Sequence, residues 1–482
     1  MICLVLSESS LEKNVELVRR NEDYIDLVEL RVDLLDGENQ KRSASFPSLV
    51  SVPVILTCRR EIDGGKYKGS EKERLKLMEE ALEGSFSYID IEEDVKRSQL
   101  EQMARDKKVR IIRSKHDFKE VPADIFHLIS RLANKGDIPK VAVMPNSVAD
   151  LITLFKVRQE LSEIEEKIVV GMGEYGYPSR ILYKKIGSML TFCSDKEVAP
   201  GQISAKKMKQ LYRADTIDDQ SRIYGIIGQP VLHSLSPQIH NRGFKEIKFN
   251  AIYLPFTVDS VRSFFSLAEM IKIAGFSVTV PHKQAVLPYL GKISREAKQI
   301  GSCNTVVRKQ NFWSGLNTDY YGFLEPINGD LESKKIETAL VVGSGGAARA
   351  VVWALRNRGC KVTIVNRSVE RARLLAQETM AQYDTLENAP LYSSVDLVVQ
   401  TTSVGLESDE DPIPSFIFNE NQVVYELIYT PHYTKMLKRA KEANCRIVFG
   451  LEMLIGQAML QFEAFSGYHW PKRLEVKLSE ED

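Results

Sequence analysis

From Ile2 to Cys193 the chain repeats one theme. A short apolar run rich in β-branched residues is followed by a charged stretch with apolar residues at helical spacing. The runs are ICLVL (2–6), YIDLVEL (24–30), VPVILTC (52–58), SYIDIE (87–92), VRIIRS (109–114), KVAVMP (140–145), KIVVGM (167–172) and SMLTFC (188–193). Helical patterns lie between them, such as 72–83 and 148–161. Eight strands alternating with helices in about 200 residues predict an α/β fold, the (β/α)8 TIM barrel. After Ser204 a polar stretch leads to a connector, Asp215-Thr-Ile-Asp-Asp-Gln-Ser221, and a new strand opens at Tyr224-Gly-Ile-Ile-Gly. A glycine-rich turn after the strand at Leu340 starts a further βα pattern, and an apolar helical stretch, Met453 to Phe465, follows it. The expected domains are a barrel over 1–213, a second α/β lobe over 222–330, and a Rossmann-like lobe with C-terminal helices over 331–482. The polar connector predicts a junction crossed by few contacts.

Composition narrows the function classes. Sixty-five basic residues balance sixty-five acidic ones, so no electrostatic footprint points to nucleic acid or an anionic membrane. No apolar run approaches the roughly 20 residues of a membrane span. The six cysteines are scattered without a CxxC pair, which predicts free thiols and neither a disulfide framework nor a metal site. Met1-Ile-Cys-Leu-Val-Leu reads as a first strand, not as a signal peptide. The expected location is the cytoplasm, with a plastid form lacking its transit segment as the alternative.

Active sites of such barrels lie at the C-terminal ends of the strands. Glu29, Arg31 and Asp33 alternate on one strand and so share a face. Arg59 follows VILTC, His116 follows VRIIRSK, Lys140 opens KVAVMP, and Arg180 and Gln202 fall in the loops after the last two strands. A lysine must lose its proton to attack a carbonyl. Burial and nearby cations such as Arg31 and Arg180 are expected to favour that loss. Histidine exchanges protons near neutral pH. Lysine, histidine and arginine without a metal-ligand cluster suggest imine chemistry on an anionic keto substrate.

The segments ELRVD (29–33), SKHDF (114–118), KVAVMP (140–145), GYPSR (176–180) and APGQIS (199–204) resemble those of type I 3-dehydroquinate dehydratase, in order. The resemblance implies a Schiff base on Lys140 and proton transfer by His116. It implies substrate contacts from Glu29, Arg31, Arg59, Arg180 and Gln202, with Ser7 and Met172 at the ends of strands one and seven. Asp63, where the family usually has Glu, would orient His116. Val198 stands where a serine is usual, and Val170 where Met is frequent.

In the second half, Gly343-Ser-Gly345-Gly346-Ala347 joins a strand to a helix, as a pyrophosphate-binding turn does. The next strand, KVTIVN, ends in Asn366-Arg367-Ser368 with Arg371 one turn on, in place of the acid that holds the ribose of NAD. A basic tip there suits the 2′-phosphate of NADP. His233-Ser234-Leu-Ser236, Ser277-Val-Thr279 through Lys283, Asn304-Thr305 and Asn317-Thr-Asp319 each follow a strand.

GQPVLHSLSPQIHN, FSVTVPHK, CNTV, NTDYYGF, GSGGAARA, NRS and GLEMLIGQAM are similar to shikimate dehydrogenase segments in family order. The similarity implies that Ser234, Ser236, Thr279, Asn304, Asp319, Tyr429 and Gln457 surround shikimate, with Lys283 and Asp319 the catalytic pair. It implies NADP(H) held by the glycine turn, the basic tip, Thr402, Leu427 and Gly450, and no metal. Gln400 and Glu426 stand where Asn and Asp are usual. The implied partners are small-molecule substrates, and the two halves would catalyse consecutive steps of aromatic biosynthesis. The alternatives are another Schiff-base lyase fused to a quinate/shikimate dehydrogenase, or one half kept only as a binding module.

Overall fold

A computed structural model describes residues 1–96, 99–196 and 201–471. The chain forms two compact units, one of residues 1–223 with 250–272, the other of 224–249 with 273–482.

In the first unit eight parallel strands form one sheet. They are β1 (Ile2–Leu6), β2 (Leu27–Arg31), β3 (Val54–Thr57), β4 (Tyr88–Glu92), β5 (Arg110–Asp117), β6 (Ile138–Val143), β7 (Ile168–Gly171) and β8 (Thr191–Cys193). Each pairs with its predecessor as far as β7, and β8 pairs with β1, so the sheet curls into a barrel. The remaining seam is bridged where the Met189 amide donates to the Lys167 carbonyl at 2.8 Å. Side chains alternate faces along a strand, and this period builds the interior in layers. Leu27, Ile112, Ile138 and Ile168 fill a lower apolar layer. Two residues further along the same faces come Glu29, Ser114 and Lys140, a polar layer nearer the strand ends. Lys140 thus lies inside β6. The strand begins ahead of it because Pro139 is only its second residue, where a missing N–H is tolerated.

After β8 the chain runs into β9 (Arg222–Gly228), leaves this unit at Tyr224, and returns from Asn250 to Lys272 as β10 (Ala251–Thr257) and the helix Val261–Met270. That return is anchored. The Val148 amide donates to Asp259 at 2.9 Å, Arg213 to the Ala251 carbonyl at 3.0 Å, and Ser221 to Asn250 at 2.8 Å. The connector itself is held by Arg158, which makes a two-pronged pair with Asp219 at 2.8 and 3.0 Å. The polar residues that read as a loose linker are engaged.

The second unit holds two sheets. Within it, β9 is followed by β11 (Ile273–Val278), β13 (Thr305–Lys309), β14 (Phe312–Leu316) and β12 (Lys292–Ile293), with antiparallel pairs flanking β13. The other sheet is wholly parallel. It comprises β15 (Thr338–Val342), β16 (Lys361–Asn366), β17 (Gln382–Thr385), β18 (Leu397–Gln400), β19 (Val423–Glu426) and β20 (Arg446–Val448), ordered β17-β16-β15-β18-β19-β20. The order reverses between β15 and β18. Such a reversal opens a crevice at the carboxyl ends of the strands, where nucleotides bind in this architecture. The fold class is as the sequence pattern predicts: an α/β barrel followed by the sheets of a two-lobed dehydrogenase. No helix among the described residues is long and apolar enough to cross a membrane.

Candidate functional site

In the barrel, the Lys140 ammonium lies 2.7 Å from Asp90 and 3.4 Å from Glu29, and the residue is 4% exposed. The Phe192 ring covers it at 4.3 Å. Thr57 donates to Glu29 at 2.9 Å. Arg59 reaches Asp90 at 2.8 Å, Glu92 at 2.9 Å and the Ser114 hydroxyl at 3.0 Å, and that hydroxyl donates to Asp90 at 2.5 Å. An unpaired charge buried this deeply would cost several kcal/mol, so the pairing is what makes the layer tolerable. Burial alone would push the Asp90 carboxyl up. Arg59 and Lys140 outweigh it and hold Asp90 well below the usual carboxylate range.

His116, on β5, faces the same cluster. Burial, then the charges of Arg59 and Lys140, hold its imidazole well below its ordinary value, against the pull of Asp90. It is therefore neutral near pH 7 and can accept a proton. Its Nδ1 is buried without a hydrogen-bond partner. The orienting contact expected from Asp63 is absent, because Asp63 is paired with Arg60 at 2.6 Å. Arg60 precedes the 3-10 turn Glu61–Asp63 as its N-cap residue, three residues from Asp63, and it also holds Asp94 at 2.8 Å. The Phe118 ring lies nearly parallel to the imidazole at 6.2 Å.

Arg31 is locked to Asp33 by two hydrogen bonds of 2.9 and 2.8 Å. Asp33 has left the strand for a short 3-10 turn, so the two meet around the strand end. Arg180 belongs to the helix Gly173–Ile181, not to a loop, and it touches the carbonyls of Gly171 and Phe192 at 2.9 and 3.4 Å. Among the described residues it has no carboxylate partner, and burial lowers it to about 10. A half-buried guanidinium so placed is suited to an incoming carboxylate. Met172 caps that helix, Gln202 is half-buried after β8, and Ser7 is exposed after β1. Val198 lies outside the described residues, as do Ala199 and Pro200 of the APGQ segment. Sequence reading missed Asp90 and Glu92, although their alternation within SYIDIE repeats the pattern that singled out Glu29 and Arg31.

In the second unit, Lys283 and Asp319 form an ion pair at 2.5 Å, with side chains 13% and 6% exposed. Asn304 donates to the other Asp319 oxygen at 2.7 Å, to Thr318 at 2.9 Å and to Gln457 at 3.4 Å. Its own carbonyl oxygen accepts from the Thr318 amide and the Thr305 hydroxyl, both at 2.8 Å. Asn317 caps the Asp319 amide at 3.0 Å. The paired Asn-Thr segments thus hold one carboxylate rigidly against one lysine. Tyr429 is hydrogen-bonded to Ser234, whose oxygen also accepts from the Ser236 amide at 3.2 Å. Thr279 ends the turn after β11 through its amide, bonded to Ile227 at 2.9 Å.

The glycine turn meets this pair. Gly343 adopts φ +113°, and a Cβ there would fall 2.4 Å from Thr401 Oγ1. Gly345 faces open space and caps the helix Gly346–Asn357. A Cβ at Gly346 would come within 3.0 Å of the Lys283 side chain. At the tip of β16 Asn366 bonds the Ser368 carbonyl at 3.0 Å, while Arg367 and Arg371 are exposed. Neither arginine makes a side-chain ion pair among the described residues. An open helix N-terminus over a tight turn, with unpaired arginines at the next strand tip, fits a phosphorylated dinucleotide. No group of three or more His, Cys, Asp or Glu side chains placed to hold a metal occurs among the described residues.

Gln400 and Glu426 are neighbours in the β18–β19 register. Gln400 braces the loop carrying Thr402, accepting from the Thr402 amide at 2.6 Å and donating to the Val404 carbonyl at 3.0 Å. Glu426 accepts from the Ile428 amide at 3.2 Å and the Thr434 hydroxyl at 3.0 Å, at the root of the loop carrying Leu427 and Tyr429. Burial pushes the Glu426 carboxyl up from 4.5 to about 8, against those hydrogen bonds. With the folded value above the unfolded one, its contribution to stability is complete below the unfolded value. It is lost as pH rises through the folded value. Glu426→Gln is therefore expected to gain stability over the parent between about pH 5 and pH 9, by on the order of a few kcal/mol. Urea unfolding at the two pH values checks this, and an unchanged difference would mean that the carboxyl does not titrate in that window.

Three family models match the chain. Type I 3-dehydroquinase covers residues 2–219, the shikimate dehydrogenase substrate-binding domain 226–306, and shikimate/quinate 5-dehydrogenase 326–407. Over 98% of its length the chain is 34% identical to the chloroplastic bifunctional 3-dehydroquinate dehydratase/shikimate dehydrogenase of Arabidopsis thaliana, of which it covers 83%. It is 38% identical to the NADP(+) shikimate dehydrogenase of Nitrosopumilus maritimus, over 52% of this chain and 95% of that one. Among solved structures, shikimate dehydrogenase from Aquifex aeolicus is similar with a TM-score of 0.50 and 36% identity, over 53% of this chain and 96% of that one. With both halves matched in order along almost its whole length, the chain belongs to the bifunctional 3-dehydroquinate dehydratase/shikimate dehydrogenase family.

Proposed function

We propose that residues 1–213 dehydrate 3-dehydroquinate at Lys140, and that 222–330 with 331–482 reduce the resulting 3-dehydroshikimate to shikimate with NADPH. One observation carries the reading: each unit buries a lysine against a carboxylate, one beneath a neutral histidine, the other beside a nucleotide-type glycine turn. The cytoplasm is the compartment this reading assigns.

In the first reaction the Lys140 amine adds to the substrate ketone, and water leaves as the imine forms. Asp90 and Glu29 hold the ammonium until its proton passes to water and the free amine attacks, and Arg180 receives the substrate carboxylate. His116 takes the proton from the carbon beside the imine. The electron pair left there expels the hydroxyl, which departs as water with the proton His116 returns. Hydrolysis of the imine restores Lys140. Glu29, Arg31, Arg59, Gln202, Ser7 and Met172 line the substrate in this reading.

In the second reaction NADPH supplies the hydride for the ketone carbon. Lys283, held by Asp319, brings a proton to the ketone oxygen. Ser234, Ser236, Thr279, Asn304, Tyr429 and Gln457 hold the ring hydroxyls and carboxylate. Gly343, Gly345, Gly346 and Ala347 hold the pyrophosphate. Asn366, Arg367, Ser368 and Arg371 hold the 2′-phosphate, and Thr402, Leu427 and Gly450 line the nicotinamide side. Feeding 3-dehydroquinate to the purified chain tests the whole scheme. An enone should appear without cofactor, and NADPH should be consumed only after it forms. A chain that consumes NADPH with 3-dehydroshikimate but makes none from 3-dehydroquinate would leave only the second half standing.

Cofactor choice has its own test. A two-pronged guanidinium–phosphate contact exists only with NADPH, so Arg367→Ala should raise KM for NADPH about tenfold or more and leave NADH nearly unchanged. Equal losses for both cofactors would remove Arg367 from the phosphate.

A further inference from the structure

We propose that Arg74, on the helix Glu71–Ala81 outside the barrel, is a positioning residue that sets the pH at which Lys140 becomes reactive. This rests on the reading of Lys140 as the imine-forming lysine. The side chain of Arg74 is fully buried and points inward. Its guanidinium lies 3.0 Å from Glu92, Glu92 lies 2.9 Å from Arg59, Arg59 2.8 Å from Asp90, and Asp90 2.7 Å from Lys140. Glu29 closes the row at 3.4 Å. Cation and anion alternate along the whole line, and every member is buried. Arg74 is fixed at the other end by the Cys58 carbonyl at 2.6 Å and by a two-pronged pair with Glu71 at 2.7 and 2.9 Å.

In such a row each partner divides its attraction between two neighbours. Without the Arg74 charge, Glu92 draws on Arg59 alone. Arg59 then loosens from Asp90, and Asp90 turns more fully to the Lys140 ammonium. Loss of a buried cation acts directly in the same direction. Both effects hold the proton on Lys140. Removing the Glu92 charge does the reverse, because it frees Arg59 for Asp90. The other groups facing Lys140 stay in place: Cys3 from β1, Glu29 from β2, His116 from β5 and the Phe192 ring from β8, while β7 presents no charged side chain.

The test uses the full chain, mixed with 3-dehydroquinate for short times across a series of pH values. Borohydride quenching and peptide mass spectrometry then read the adduct on Lys140. Arg74→Met should move the half-maximal pH for trapping upward by about half a unit, about threefold slower trapping at neutral pH. Arg74→Lys keeps the charge and should keep the parent profile. Glu92→Gln should move the midpoint down. Should Arg74→Met fail to fold, Arg74→Gln retains a donor for the Cys58 carbonyl and makes the same measurement. An unmoved midpoint in the Arg74 variant, or movement of the Arg74 and Glu92 variants in the same direction, overturns the proposal. A parent chain that gives no adduct at Lys140 overturns the imine reading instead.

Discussion

Lys140→Ala is expected to abolish dehydration of 3-dehydroquinate, by about 10⁴-fold or more, while leaving shikimate oxidation near the parent level. The size follows from the role. Among the described residues no other lysine makes an ion pair within the Glu29–Asp90–Arg59 cluster, so no neighbour is placed to form the imine instead. Truncation also removes the ammonium from Glu29 and leaves Asp90 to Arg59, and the cost is partly structural. Lys140→Met, which keeps the volume, separates the two effects. Steady-state assays of both activities read the outcome, with borohydride trapping as the direct check. An adduct of unchanged yield in Lys140→Ala would move the imine elsewhere. His116→Ala makes the complementary case. It should still be trapped but not turn over, because it supplies the proton transfer and not the attachment.

Lys283→Ala is expected to lower shikimate oxidation by about 10² to 10⁴-fold with little change in dehydratase activity, the range for removing a positioned proton donor. The KM for shikimate should move much less than kcat, since the proposed scheme gives the hydroxyl and carboxylate contacts to other residues. Asp319→Asn is the more discriminating variant. The carboxylate takes the Lys283 ammonium on one oxygen and Asn304 on the other. An amide cannot hold both donors, so either the lysine or Asn304 loses its partner. A loss confined to KM in both variants would show that the pair binds substrate without moving a proton.

The barrel was legible because period-2 alternation is a local property, and Lys140, His116, Glu29 and Arg59 each lie at or near the end of an apolar run. What escaped was the part that depends on neighbours in space. Asp90 sits in SYIDIE with the same alternation as Glu29, yet nothing along the chain says that it lies 2.7 Å from a lysine fifty residues away. Asp63 was assigned to His116 from its place in the motif. In the structure its partner is Arg60, only three residues off, at the start of the same 3-10 turn. In the second half the Asn-Thr pairs were visible as strand ends, but their joint grip on Asp319 is a product of the β13–β14 hairpin. Gln400 and Glu426 each read as one methylene too long. Side by side in register, each uses that length to brace the loop after its own strand.

Synthesis from the N-terminus meets the division of the chain in a crossed order. All eight barrel strands leave the ribosome first, then 224–249, which belong to the other unit, and only then 250–272, which belong with the barrel. The first unit is therefore complete in sequence only after part of the second has been made. The two units complete in overlapping windows. A nascent chain paused between 224 and 249 has all eight barrel strands but not yet the 250–272 segment that completes the first unit, beside a fragment of the other unit with no sheet yet to join.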